Sequence, residues 1–240
     1  MITQIKKIVH SLGNKQFKKA GHDEFISWLS FANAGMLNEG NIYCFEYAVE
    51  NLPSENPVIE IGSFCGLSTN LINFYLDKNQ RKNKMITCDR WMFEGAEKAD
   101  NLLGGSRISH SKYREFVKQS YIRNIQFFSE SNLPFTVEKF SDDFFDAWKL
   151  GADEKDILGR PVHLGGSISF AYIDGNHTYD FAMRDFRNVD AFLEPGGFIL
   201  FDDSADDSQW EVNQVVKEIL KEGKYELVIK NPNYLLRKSI

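Results

Sequence analysis

The chain is 240 residues long, 42% hydrophobic and 26% charged, with a formal net charge of −6. That length buries one substantial core, and the acidic balance leaves no basic stripe, which argues against nucleic acid as the main partner. Three cysteines (Cys44, Cys65, Cys88) are too few and scattered for a disulfide framework or a zinc site, and no apolar run reaches signal-peptide or membrane-span length, so a reducing cytoplasm is the expected setting.

Up to about Asn51 the pattern is helical, with apolar positions at Ile5, Ile8, Val9 and Leu12, then Phe25, Trp28 and Leu29, then Ile42, Phe45, Val49 and Leu52. No chemistry-bearing cluster falls there, so residues 1–52 read as a helical cap on a domain spanning 53–240. Pro57-Val58-Ile59-Glu60-Ile61 is an apolar, β-branched run and predicts a buried parallel strand over 57–61. It breaks at Gly62, turns through Ser63-Phe64-Cys65 to Gly66, and enters an amphipathic helix over 66–77 bearing Leu67, Leu71, Ile72, Phe74 and Tyr75. Glycine at those two places permits a sharp turn and a ligand lying against bare backbone. The spacing lacks the further glycines of the dinucleotide fingerprint. Glu60, just before the turn, repels phosphate and suits a cationic or hydroxyl-bearing ligand.

A second strand over 84–88 ends in Asp89, where a carboxylate can accept hydrogen bonds from both hydroxyls of a ribose; a surface or capping role is the alternative. About 45 residues then separate Asp89 from Pro134, more than a crossover needs. The stretch 91–128, with Trp91, Phe93, Tyr113, Phe116 and Tyr121, reads either as one helix with a decorated loop or as a lid or acceptor-selecting insertion. A strand over 135–139 runs into a helix over 141–150, where Ser141 or Asp142 suits the N-cap. The strand 168–173 is followed by Asp174, with His177 three residues on and a helix over 178–192. The strand 197–202 ends in Asp202-Asp203 ahead of a helix over 210–222. Tyr225–Lys230 and Tyr234–Lys238 flank Asn231-Pro232-Asn233 so closely that they must pair antiparallel.

Strand–helix alternation closed by that hairpin predicts an α/β fold: a doubly wound, mostly parallel seven-stranded sheet with a C-terminal antiparallel hairpin. Such sheets bind ligands at the carboxyl ends of their strands, where Asp174, Asp202 and Asp203 converge. Crowded carboxylates repel one another unless a cation neutralises them, and an all-oxygen donor set suits Mg²⁺. The plainer alternative has Asp202 or Asp203 capping the next helix or facing solvent. His177 falls in the same crevice, and an ordinary imidazole titrates close to working pH, as a general base requires. His10, His22, His110 and His163 read as structural.

The strand with Glu60 and the Gly62-x-x-x-Gly66 turn resembles motif I of the class I S-adenosylmethionine-dependent methyltransferases, whose Rossmann-like sheet also carries an antiparallel C-terminal hairpin. The resemblance spans about Pro57 to Ile240. It implies adenosylmethionine as cofactor, with Glu60, Gly62, Ser63, Gly66 and Ser68 shaping the methionine side and Asp89 on the ribose. Arg90 would border the adenine, Ser141 and Asp142 would contact it, and Asp174 would lie beside the cofactor. Asp174, Asp202 and Asp203 match the acids of metal-dependent small-molecule O-methyltransferases, of the catechol type and the natural-product sugar type. Asp174-Gly175-Asn176-His177 is closer to the sugar type, where the histidine serves as base; the catechol type has a lysine there. The implied reaction is transfer of a methyl group to a hydroxyl of a small natural-product or sugar-like acceptor. Asp174 and His177 are then the catalytic residues, and Asp174, Asp202 and Asp203 the ligands of Mg²⁺ or another divalent cation.

Two rivals remain: a metal-independent N- or O-methyltransferase whose acids only position substrate, and a non-catalytic adenosylmethionine-binding scaffold, disfavoured because the acids and His177 are intact. A nicotinamide dehydrogenase is disfavoured by the missing glycine. No membrane partner is expected, and a homo-oligomer is compatible with the composition.

Overall fold

The computed structural model describes residues 18–21, 23–93, 96, 98 and 101–240; the helix expected around Ile5 to Leu12, His10 and His22 lie outside them. Helices α1 (Glu24–Ala32) and α2 (Glu39–Glu50) precede β1 (Val58–Ile61), α3 (Leu67–Lys78), β2 (Met85–Cys88), α4 (His110–Phe128), β3 (Phe135–Val137) and α5 (Ser141–Leu150). Then come β4 (Asp153–Lys155), β5 (Pro161–His163), β6 (Ile168–Ile173), α6 (Tyr179–Asp190), β7 (Leu193–Phe201), α7 (Val212–Lys221), β8 (Tyr225–Lys230) and β9 (Tyr234–Lys238). The main sheet has seven strands in the order β3-β2-β1-β6-β7-β9-β8. β1, β2, β3, β6 and β7 pair in parallel, and β9 runs antiparallel to both β7 and β8. This is the expected class I, Rossmann-like methyltransferase arrangement.

Period-two alternation divides the core into two layers. Ile59, Ile61, Ala171, Ile173, Ile199 and Phe201 face one cluster with Phe144, Trp148, Phe186 and Val215 of α5, α6 and α7. Val58, Phe170, Tyr172, Phe198 and Leu200 face the other, with Leu29, Phe45 and Leu71 of α1, α2 and α3. The N-terminal helices therefore share one buried cluster with the sheet. In α1 the buried positions are Ile26 and Leu29, and Trp28 is exposed.

Two features escaped the sequence pattern. The hairpin of β4 and β5 is three residues per strand and mostly exposed, and its turn is closed by Asp156, which accepts from the Leu158 and Arg160 N–H groups. β7 begins at Leu193 rather than near Gly197. Leu193 pairs with Ile168, the Pro195-Gly196 stretch bulges out, and pairing resumes at Phe198 opposite Phe170. Proline lacks the ladder donor, which is why the sequence hides this early start.

Candidate functional site

At the carboxyl end of β1 the chain reverses through two glycines in left-handed conformation, Gly62 (φ +82°) and Gly66 (φ +90°). A Cβ on Gly62 would lie 2.1 Å from the Asp174 carbonyl oxygen, so bare backbone is what lets the turn meet the end of β6. Asp89 sits opposite. Its Oδ2 accepts from the Ser63 N–H (2.7 Å), the Phe64 N–H (3.0 Å) and the Ser63 hydroxyl (3.2 Å), and its Oδ1 accepts from the Trp91 N–H (2.6 Å). The acid expected to face a ribose thus also ties down the glycine turn. Burial pushes its carboxyl above the ordinary value, against the opposing pull of those backbone donors.

Glu60 is fully buried beneath the turn. It accepts from the Ser68 hydroxyl (2.5 Å) and from the Thr69 hydroxyl, both in the first turn of α3. Burial raises its carboxyl from 4.5 to about 8, outweighing those two hydrogen bonds, with Asp89 adding to the rise. The folded state therefore binds this proton more tightly than the unfolded chain. The associated stability is complete below about pH 4.5 and is lost as pH climbs toward 8. Between pH 5 and 7 the loss is on the order of 2 kcal/mol. Glu60→Gln should erase it, seen as a wild-type-minus-variant stability difference in urea that changes with pH over this window. A flat difference would show that Glu60 does not hold its proton.

Beside that turn, Asp174 follows β6 and Asp202 follows β7. Asp202 is 4% exposed, and its Oδ1 accepts from the side-chain amides of Asn41 (2.6 Å) and Asn233 (2.7 Å). Asp174 is half-buried and accepts from the Tyr172 hydroxyl (3.2 Å). Its carboxyl stands well above the ordinary range, first through burial, then through Asp202, with a hydrogen bond between the two carboxyls. His177 lies between acids: Nε2 is 3.3 Å from Asp174 Oδ1 and Nδ1 is 3.1 Å from Asp203 Oδ2. Burial and then Asp202 raise the Asp203 carboxyl, and His177 opposes that rise.

The three acids and His177 thus meet at one place, but their carboxylates diverge. Asp174 and Asp202 face each other while Asp203 faces the imidazole. Among the described residues, no group of three or more His, Cys, Asp or Glu side chains is arranged to hold a metal ion. In kind the donors fit a hard cation, since Asp174 and Asp202 offer carboxylate oxygens only. Beside them opens a cleft of about 470 Å³, bordered by Met36, Asn38, Asp202, Asp203, Asp207 and Asn233.

The remaining predicted residues fall nearby with other partners. Neither Ser141 nor Asp142 is the N-cap of α5; Phe140 holds that position, without a side-chain hydrogen bond. The Asp142 carboxylate is taken by Asn188 (3.0 Å) and Arg184 (3.1 Å) of α6. The Arg90 guanidinium lies over the Phe140 ring, 5.0 Å from its centroid. In the 91–128 stretch, α4 packs on the glycine turn: Trp91, Val117, Tyr121 and Ile125 bury against Cys65, and Asn124 donates to the Cys65 carbonyl (2.8 Å). All three cysteines are free and buried, with burial raising Cys44 to about 12 and Cys65 to about 11. His163 pairs with Asp153 on the exposed hairpin, and His110 Nδ1 is buried without a partner.

The sequence pattern missed Asn41 and Asn233. Asn41 shares the buried face of α2 with Cys44, Phe45 and Ala48, and a polar residue on an apolar stripe is the signal that could have revealed it. Asn233 was hidden because turn chemistry alone accounts for it.

Comparison with known proteins places this geometry. A family described as a methyltransferase domain matches residues 59–204. No curated protein sequence matches the chain. Among solved structures, the O-methyltransferase NovP is 16% identical, with 85% of this chain and 81% of that one covered and a TM-score of 0.54. The O-methyltransferase from Bacillus cereus in complex with SAH is 12% identical, fully covered on both sides, with a TM-score of 0.56. TomG of Streptomyces achromogenes, an O-methyltransferase involved in tomaymycin synthesis and solved with SAM, is 12% identical, with coverage of 98% and 96% and a TM-score of 0.54. At these identities the likeness is one of fold.

Proposed function

The chain belongs to this methyltransferase-domain family, and we propose that it transfers the methyl group of S-adenosylmethionine to a hydroxyl of a small molecule. The observation that carries this reading is one end of the sheet, where the neighbouring carboxyl ends of β2, β1, β6 and β7 bring the glycine turn and Asp89 together with Asp174, Asp202 and His177. When bound, the cofactor supplies a sulfonium methyl that an acceptor oxygen displaces in line. The chain's own part is placement. Gly62, Ser63, Gly66 and Ser68 shape the methionine end above the buried Glu60, and Asp89, Arg90, Ser141 and Asp142 lie toward the adenosine end. Alignment of acceptor and methyl accounts for much of the rate in such displacements. His177 Nε2 takes the hydroxyl proton as the oxygen attacks, and Asp174 borders both ligands.

Calorimetry with adenosylmethionine and NAD tests this reading. Adenosylmethionine should bind at micromolar levels and NAD should not, and Asp89→Ala should weaken binding by about 1.5–3 kcal/mol. Binding of NAD alone would sink it.

Asp174 and Asp202 are the carboxylates we assign to a divalent cation, with Asp203 joining only by leaving His177. Bound there, Mg²⁺ would place positive charge beside the acceptor oxygen, lowering its pKa and fixing its position. EDTA should then abolish turnover, Mg²⁺ should restore it, and Asp202→Asn should mimic chelation. Full activity after metal stripping would favour the metal-free transfer that the Asp203–His177 contact also suits.

We assign acceptor selection to the cleft beside Asp202 and Asp203. Its acidic lining fits a polyhydroxylated or cationic acceptor of the natural-product kind. Of the aromatic residues in the 91–128 stretch, Trp91 and Tyr121 pack against the glycine turn and Phe116 is exposed. No described helix is long and apolar enough to cross a membrane. Buried, unpaired thiols accord with a reducing cytoplasm as the proposed location.

A further inference from the structure

Asp185 of α6 is a buried acid with an oxygen to spare. The residue is 2% exposed, and its Oδ1 is buried with no hydrogen-bond partner among the described residues. Buried carboxylate oxygens are nearly always hydrogen-bonded, so this one has an unused capacity to accept. Its Oδ2 stands 3.0 Å from the point that a Cβ on Gly175 would occupy, and Ile61 Cγ2 stands 3.4 Å from the same point. The carboxyl therefore lies where β1 and β6 end, next to a residue with no side chain. On the β3 side its neighbours are the Ser141 hydroxyl and the Asp142 carboxylate, at the start of α5. Asp142 is already engaged, since Arg184 and Asn188 of α6 hold its two oxygens. Helix α5 opens at Phe140 without a side-chain cap, so its first-turn N–H groups still offer donors. Burial pushes the Asp185 carboxyl up to about 6, with the Ser141 hydroxyl opposing and Asp142 adding to the rise. Above neutral pH it is an acceptor.

We propose that Asp185 is a specificity-determining residue of the cofactor site, its carboxylate accepting from the exocyclic amino group of the adenine. The inference rests on the reading of the chain as an adenosylmethionine-dependent enzyme. The edge of an adenine presents an amino donor beside a ring-nitrogen acceptor. Asp185 and the uncapped first turn of α5 offer the matching acceptor and donors side by side. The sequence pattern gives the adenine contact to Asp142, but the ion pair and amide on that carboxylate leave Asp185 as the acid with a free oxygen. A base with an oxo group at the amino position turns a lone pair toward the carboxylate and is repelled. Asp185 thus selects adenine over hypoxanthine.

The test is calorimetry on the full chain at about pH 8, above the range in which Asp185 titrates. The probes are S-adenosylhomocysteine and S-inosylhomocysteine, which carries an oxo group in place of the amino group. The wild type should prefer the adenosyl compound by at least roughly 10–100-fold, the scale of one hydrogen bond to a charged group. Asparagine has the size of aspartate and an N–H₂ that donates to the oxo group, so Asp185→Asn should cut the preference by about tenfold or more. Asp142→Asn should leave the preference as it is. The proposal is overturned if Asp185→Asn weakens both compounds by the same factor, as an acid that only braces α5 would. It is also overturned if Asp142→Asn is the variant that erases the preference, or if the wild type binds both compounds equally. The last two results do not depend on Asp185→Asn folding. A wild type that binds neither compound overturns the methyl-transfer reading together with this one, whereas binding without discrimination overturns this one alone.

Discussion

His177→Ala is expected to lower kcat by about 10²–10⁴-fold, the range for removing a general base, while adenosylmethionine affinity changes little. The imidazole lies between Asp174 and Asp203 and against Trp210. Its side chain is 24% exposed, so truncation removes one aromatic contact and two polar ones at a rim rather than opening a core cavity. Stability should fall by no more than about 1 kcal/mol. The check is steady-state kinetics with an acceptor that the wild type methylates, alongside calorimetric cofactor binding. A variant that turns over near the wild-type rate, or that fails through a collapsed melting temperature, would make His177 a structural histidine.

Gly62→Ala should be as severe, by another route. The added Cβ meets the Asp174 carbonyl oxygen at 2.1 Å, and the offending atom is backbone, which has no rotamer to escape into. The residue must also keep φ at +82°, a conformation that disfavours any L side chain by about 1–2 kcal/mol. Overpacking adds roughly 1–3 kcal/mol. Together these approach a large part of the stability of a domain this size. Relief requires β1 and β6 to part at their carboxyl ends, where Asp174 N–H donates to the Ile61 carbonyl (2.8 Å). Denaturant unfolding should show a loss of about 2–5 kcal/mol, and adenosylmethionine binding should disappear. A variant with wild-type stability and affinity would show that the turn is not packed as described.

Much of this was legible in the sequence because buried parallel strands are short apolar runs and their ends carry the polar residues. The five parallel strands, the hairpin and the positions of Asp89, Asp174 and His177 all follow from that pattern. What stayed hidden depends on contacts between distant residues. Asp142 fits an N-cap by local rules, but α6 brings Arg184 and Asn188 to it. Asp202 and Asp203 look like one acidic pair, and only the left-handed backbone at Asp203 separates them. The 91–128 stretch holds α4, whose 19 residues cover the glycine turn, and that packing explains Trp91 and Tyr121 but not the exposed Phe116.

The cradle around Asp202 has a bearing on the order in which this protein is made. Asn41 and Asn233, which hold one carboxylate oxygen, lie 161 and 31 residues from it along the chain. During synthesis the glycine turn and its Asp89 clasp are complete once β1 and β2 have emerged. Asp202 is not clasped from both sides until the last hairpin has left the ribosome. Contacts of such long sequence separation form late because loop closure must precede them. The nascent chain would therefore acquire the cofactor side of its crevice well before the acceptor side, and a chain released early would be an incomplete catalyst however well its first strands had folded.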